Sequence, residues 1–220
     1  MKYVENIQQV AEIQPDYLGF IFYDRSPRNF EGIIPELPKE IKKVGVFVNE
    51  FIEIVVSLIQ EYELDVVQLH GDESVEYIEK LKEAFQSAEE ELIAQLKKKR
   101  KPKTIEIVKV FGIKEEFDFS VLKPFEDVVD FFLFDTKGKE RGGNGIPFNW
   151  EVLENYNSEV PFFLSGGIGL EEVSEVQKLI KSNLPIHALD VNSKFETQPG
   201  VKSVKDIKKF KQTVITNEVK

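Results

Sequence analysis

The chain has 220 residues, 41% of them hydrophobic and 31% charged, enough for one sizeable core and too short to need two domains. With 29 basic against 39 acidic residues it carries a formal charge of −10, so no global field draws it to nucleic acid or an anionic membrane surface. It has no cysteine, which excludes a disulfide scaffold, a zinc-thiolate site and a thiol nucleophile among these residues. An anionic small molecule is still admissible, because a pocket's local potential is set by backbone amides and a few side chains.

The N-terminal stretch MKYVENIQQV lacks the apolar core of a signal peptide, and no apolar run approaches the ~20 residues of a membrane span. A cytoplasmic protein is the expectation. The first element is a helix, with Val4, Ile7, Val10, Ala11 and Ile13 at helical spacing. Short apolar runs and helical segments then alternate. LGFIFY (Leu18 to Tyr23) and VGVFV (Val44 to Val48) read as strands, and Phe51 to Tyr62 as a helix with Ile52, Val55, Val56 and Ile59 on one face. VVQLH (Val66 to His70) precedes a long charged helix, Ser74 to Leu96. IVKVF (Ile107 to Phe111), FFLFD (Phe131 to Asp135), FFLS (Phe162 to Ser165) and ALDV (Ala188 to Val191) complete the strands. Helices are expected over Leu170 to Ile180 and Val204 to Val214.

Near-continuous hydrophobicity over four to six residues marks strands buried on both faces, and regular alternation with helices marks a parallel sheet. The chain therefore reads as a single α/β domain over residues 1–220. Seven strands can be counted, and the chain opens on a helix and closes on one. A (β/α)8 TIM barrel opens on a strand, so the count implies such a barrel with its first strand missing from this chain. An open doubly wound sheet also accommodates seven strands. The basic run KKKRKPK (Lys97 to Lys103) reads as a solvated helix end and surface loop.

The polar residues gather where the strands end, which is where parallel α/β folds place their ligands. Arg28 follows the first run, His70 ends the third, and Asp135 ends the fifth. Asp135 is the candidate general acid or base, since a carboxylate closing an apolar strand is costly without a purpose or a partner; a capping role for the next turn is the alternative. Arg28 could clamp a carboxylate, or lie idle at the surface. SGGIG brings Gly166 and Gly167 ahead of the helix expected near Leu170, a place where backbone amides can approach a phosphate. DVNS adds Asp190, Asn192 and Ser193 from the next loop. Gly142, Gly143 and Gly145 make the segment after Asp135 a candidate loop over the ligand, and Trp150 is expected to pack beneath it. His187 belongs to the opposite end and reads as structural.

Taken in order, LGFIFYDRSPR, VGVFVN, VVQLHGDES, FLFDTK, GGNGIPFNW, PFFLSGGI and ALDVNSKFETQPGVKS resemble phosphoribosylanthranilate isomerases over essentially the whole chain. The resemblance implies a (β/α)8 barrel with no cofactor and no metal, acting on a small phosphorylated substrate. No nucleic-acid or membrane partner follows from it, and it leaves monomer and homodimer open. The implied reaction is an Amadori rearrangement of N-(5-phosphoribosyl)anthranilate to 1-(2-carboxyphenylamino)-1-deoxyribulose 5-phosphate. An acid protonates the furanose oxygen and opens the ring to a Schiff base; a base removes the proton on C2, and the enolamine becomes the ketone. On that likeness Asp135 is the acid, Arg28 faces the anthranilate carboxylate, and His70 lines the pocket. Gly166, Gly167, Asn192 and Ser193 cradle the phosphate, with Asp190 near the sugar.

The base implied by the resemblance is a cysteine in a Lys-Ile/Val-Cys-Gly string on the first strand. Met1-Lys2-Tyr3-Val4-Glu5-Asn6 resembles what directly follows that Cys-Gly. One expectation is that upstream DNA encodes roughly five to eight further residues carrying that string, enough for a short buried strand. The chain as it stands is then expected to be nearly inactive. The other is a catalytically inactive phosphate-binding barrel that has lost its base and serves as a partner subunit; a third is a neighbouring barrel enzyme acting on a related phosphosugar. Phe148-Asn149-Trp150 and Asn192-Ser193-Lys194 depart from the usual Phe-Asp-Trp and Ser-Ser-Gly.

Overall fold

In the computed structural model the described residues are 1–97, 101–136 and 149–216. Five α-helices are present among them: α1 (Val4–Ala11), α2 (Ile52–Tyr62), α3 (Val75–Leu96), α4 (Val173–Ile180) and α5 (Val204–Thr216). Seven strands form one parallel sheet in strict chain order: β1 (Tyr17–Phe22), β2 (Lys42–Phe47), β3 (Val66–Leu69), β4 (Glu106–Ile113), β5 (Phe131–Thr136), β6 (Phe162–Leu164) and β7 (Ile186–Leu189). Each strand pairs with its chain neighbours, as in a barrel, whereas a doubly wound sheet reverses strand order partway. The sheet runs from β1 to β7 without a pairing between those two edges among the described residues, leaving a seam.

Side-chain alternation sorts the strands into two apolar layers. Leu18, Phe20, Phe22, Phe47, Val67, Leu69, Ile107, Phe132, Phe134, Phe162 and Leu164 face the helices in the larger core. Val44, Val66, Val108, Val110, Leu133 and Phe163, with Tyr17, Phe131 and Ala188 packed on them, fill the concave side. Strands buried on both faces need this doubled burial, which explains their unbroken hydrophobic runs.

The helices close the outer face by amphipathic stripes. Val55 and Ile59 of α2 and Ile78, Leu81 and Phe85 of α3 are buried, each contributing about 1.5–3 kcal/mol of transfer free energy. Ser74 caps α3, its hydroxyl accepting from the Tyr77 N–H at 3.2 Å, and Glu63 and Lys97 end α2 and α3 in the left-handed region. Lys97 is exposed, whereas Lys103 donates its backbone N–H to Glu89 and pairs with Asp65 at 2.8 Å, so the C-terminal end of the basic run is anchored to acidic partners.

Three details differ from the sequence reading. The segments between β4 and β5 and between β5 and β6 contain 3-10 helices, at Phe119–Phe125 and Trp150–Asn155, where the first includes Pro124. The helix expected from Leu170 starts at Val173. A small antiparallel hairpin, β8 (Glu196–Gln198) with β9 (Val201–Lys202), follows β7 where only a loop was read; Gly200 turns it at a φ of 85°. Trp150 is buried in the larger core.

The seam is bridged by side chains. At its lower end Tyr17 Oη of β1 meets His187 Nε2 of β7 at 2.8 Å, which gives His187 the structural place expected of it. Higher up, Asn6 of α1 exchanges hydrogen bonds with the Lys202 backbone at 2.9 and 2.7 Å. Arg28 reaches Glu196 across the top.

Candidate active site

The concave apolar layer stops short of the strand ends, and on β3, β5, β6 and β7 the next residues inward are polar. Two positions beyond Leu133 stands Asp135; two beyond Phe163, Ser165; two beyond Ala188, Asp190. On β3 the same register passes from Val66 through Gln68 to His70. The period of two therefore converts a plug of valine, leucine and phenylalanine into a polar floor. His70, Asp135 and Asp190, singled out separately in the sequence, are brought together there.

Asp135 is 7% exposed, and its Oδ1 accepts the Thr136 N–H at 2.8 Å. His70 Nε2 lies 3.7 Å from Asp135 Oδ2 and its Nδ1 lies 3.5 Å from Gln68 Nε2. Burial pushes the Asp135 carboxyl up to about 6; the negative charge of Asp190 adds to the rise, and the Thr136 hydrogen bond opposes it. Asp190 accepts from Ser165 Oγ at 3.0 Å, and its own carboxyl is raised by burial against the counteracting Ser165 hydrogen bond and Lys202 charge. Two carboxylates on one buried floor resist ionising together, which favours the protonated form of Asp135 below about pH 6.

His70 is held from outside the barrel wall. Its N–H donates to Phe47 O at 2.8 Å. The next residue, Gly71, donates to Glu73, while Lys109 Nζ donates to Gly71 O at 2.8 Å and to Glu73 Oε2 at 3.1 Å. Lys109 and Glu73 are almost fully buried, with side-chain exposures of 4% and 1%. No signal short of the fold pairs residues 36 positions apart.

Gly166 and Gly167 both sit in the left-handed region, at φ of 85° and 69°. A Cβ on Gly166 would lie 2.5 Å from Thr136 Oγ1 and 3.2 Å from Asp135 Oδ1, so glycine is required here by the close approach of β5 as well as by its own backbone. The helix N-terminus expected beside these glycines is displaced: α4 begins at Val173, with Glu172 at its cap position and paired to Lys194 at 2.6 Å. The SGGIG turn thus faces the Asn192-Ser193-Lys194 turn through an ion pair, and Lys194 also packs against Gly169. Ser193 opens a single 3-10 turn, Ser193–Phe195. Asn192 is bound by the Lys202 ammonium through both its backbone and side-chain oxygens.

Arg28 enters from the loop after β1. That loop folds back on its own strand, with Phe30 N–H donating to Ile21 O at 2.7 Å, Tyr23 N–H to Asn29 Oδ1 at 2.9 Å, and Arg28 N–H to Ser26 Oγ at 3.1 Å. The guanidinium pairs with Glu196 through Nε at 2.9 Å and one Nη at 2.8 Å, so Arg28 is not the idle surface residue the sequence allowed. Glu196, Lys202, Ser165 and Lys194 were not picked out as site residues from the sequence; the inward register of Ser165 after Phe163 was the one available signal. Gly142, Gly143 and Gly145 lie outside the described residues. Among the described residues, no group of three or more His, Cys, Asp or Glu is arranged to hold a metal ion, and no helix is long and apolar enough to cross a membrane.

Comparison with known proteins agrees with this geometry. The sequence profile of the N-(5'phosphoribosyl)anthranilate (PRA) isomerase family matches residues 1–96 and 89–213. The N-(5'-phosphoribosyl)anthranilate isomerase of Parabacteroides distasonis is 35% identical over 221 residues, covering 98% of this chain and 90% of its own. That of Thermoanaerobacter pseudethanolicus is 37% identical, covering 96% and 92%. Among solved structures, the phosphoribosyl anthranilate isomerase of Thermotoga maritima superposes with a TM-score of 0.76 at 28% identity, over 97% of this chain and 95% of that one. A phosphoribosyl anthranilate isomerase in complex with reduced 1-(o-carboxyphenylamino)-1-deoxyribulose 5-phosphate gives 0.72 at 27% identity, over 96% and 93%. The fold is that of the (β/α) TIM barrel, and the chain belongs to the N-(5'-phosphoribosyl)anthranilate isomerase family.

Proposed function

We propose that this chain binds N-(5-phosphoribosyl)anthranilate across the strand ends and serves its Amadori rearrangement, with Asp135 as the general acid. The observation that carries the reading is Asp135 itself: a buried carboxyl on the inward face of β5, raised to about 6, beside His70 and Asp190. An acid of that pKa is protonated in roughly a tenth of molecules at pH 7 and gives up its proton readily. It would protonate the furanose oxygen as the C1–O bond breaks. Arg28 would meet the anthranilate carboxylate, His70 would line the pocket, and Asp190 would lie near the sugar. Gly166, Gly167, Asn192 and Ser193 would cradle the phosphate, and Gly142, Gly143 and Gly145 would close over the substrate. Residues 1–220 would form a single (β/α)-barrel domain, as a monomer or homodimer in the cytoplasm.

Removal of the C2 proton is the step without an obvious agent, because the thiol that the resemblance implies has no counterpart among these residues. That specific gap favours a second reading, a phosphate-binding barrel without turnover. One experiment separates the two. The chain is titrated with reduced 1-(o-carboxyphenylamino)-1-deoxyribulose 5-phosphate and assayed for conversion of N-(5-phosphoribosyl)anthranilate. Binding is expected, with turnover about 10²–10⁴-fold below that of the Thermotoga maritima isomerase, the range by which loss of a general base slows an enzyme. Undiminished turnover would assign the base to a group already present, and D135N should abolish it. Binding with no turnover at any pH establishes the second reading, and absence of binding overturns both.

A further inference from the structure

The mechanism gives work to Arg28 and Asn192 and none to the two buried charges between them. Glu196 lies at the start of β8 with its side chain 5% exposed, and Lys202 on β9 is 9% exposed. Buried charges are expensive unless fully paired, and these two are paired with the loops that carry the site. Glu196 receives Arg28 Nε at 3.1 and 2.9 Å on its two oxygens and an Nη at 2.8 Å. It also receives Lys202 Nζ at 2.9 Å and the Gly200 N–H at 3.1 Å. Lys202 passes the connection on to Asn192, donating to its backbone oxygen at 3.1 Å and to its side-chain oxygen. Burial alone would push the Glu196 carboxyl up, yet the Arg28 hydrogen bonds and the Lys202 charge hold it below its ordinary value, so it stays ionised as their counter-ion.

A guanidinium has two edges that can each engage a carboxylate. Glu196 takes the edge made by Nε and one Nη, and the edge formed by the two terminal nitrogens is left to face a second carboxylate. We propose that Glu196 is a positioning residue, which fixes Arg28 by one edge so that the other is presented to the substrate's carboxylate, and which through Lys202 sets the Asn192 turn for its phosphate. The two anionic ends of the substrate are then received by one pre-assembled unit spanning the β1–β7 seam, and the entropy of ordering a long arginine is spent in folding and not in binding. This rests on the ligand assignment for Arg28 given above.

The test measures binding of two ligands, reduced 1-(o-carboxyphenylamino)-1-deoxyribulose 5-phosphate, which has the carboxylate, and ribose 5-phosphate, which lacks it. Four proteins are compared: the unsubstituted chain, E196Q, R28M and the double variant. Glutamine offers one acceptor and one donor where Arg28 brings two donors, so E196Q should weaken the carboxylate ligand about tenfold, within the range of coupling between contacting residues. In the R28M background the same change should weaken it only as far as it weakens ribose 5-phosphate, the share that passes through Lys202 to Asn192. R28M should leave ribose 5-phosphate within twofold of the unsubstituted chain. E196D keeps the charge beside Lys202 but is one methylene too short for the two-oxygen grip on Arg28; it supplies the same comparison if E196Q does not fold. Equal losses with and without Arg28, or no loss in E196Q, would overturn the inference. If the unsubstituted chain binds ribose 5-phosphate but R28M leaves the carboxylate ligand unaffected, the assignment of Arg28 fails, and the inference falls with it by a separate arm.

Discussion

Replacing Asp135 by asparagine should destroy the proposed acid and, at the same time, stabilise the protein. The native carboxyl binds its proton more tightly than the unfolded chain does, its pKa rising from 3.8 to about 6. Stability from this group is therefore complete below about pH 4 and is lost as pH rises through about 6. The full loss corresponds to about 3 kcal/mol, because each pH unit of difference is worth about 1.4 kcal/mol. Most of it is the cost of burying an anion, and a share is repulsion from Asp190. Asparagine keeps the size and cannot ionise, so that loss disappears. Urea unfolding followed by circular dichroism from about pH 3 to pH 8 should give a D135N advantage that grows by about 3 kcal/mol across the range. Any constant packing difference cancels in this comparison, since only the change with pH counts. Parallel stability curves for the two proteins would refute the reasoning, showing that Asp135 ionises in the native site as easily as in water.

K109M leaves Glu73 buried without its counter-ion and frees the carbonyl of Gly71; the expected loss is about 3–5 kcal/mol in urea unfolding, against a smaller loss when E73L is combined with it. G166A forces a Cβ to within 2.5 Å of Thr136 Oγ1 at a φ of 85°. It should cost about 1–3 kcal/mol in thermal unfolding and weaken ribose 5-phosphate binding in titration calorimetry, as the turn is pushed off β5.

Much of the barrel could be read from the chain because its strands are buried twice. LGFIFY, VVQL and FFLFD are too apolar for one-sided burial, and that alone implies a parallel sheet between helices and a filled interior. Asp135 and His70 were legible for the complementary reason, that a charge or an imidazole ending such a run interrupts the pattern. The start of α4 at Val173 was not, since LEEVSE continues the helical spacing while the chain from Ile168 to Glu172 is held by the Glu172–Lys194 pair, whose partner comes from another loop. The hairpin at Glu196–Lys202 was hidden by its length, two or three residues to a strand.

What the sequence by itself determined is the order of elements and the chemistry available at each strand end, because both are local: periodicity, burial and turn formation act within a few residues. Which of those groups touch was decided by tertiary structure alone. Arg28 and Glu196 are 168 residues apart, Ser165 and Asp190 are 25 apart, and His70 meets Asp135 only because β3 and β5 flank β4 in the curled sheet. The energy of a charge depends on its partners and on the water excluded around it, and neither is present until the strands have closed around the site.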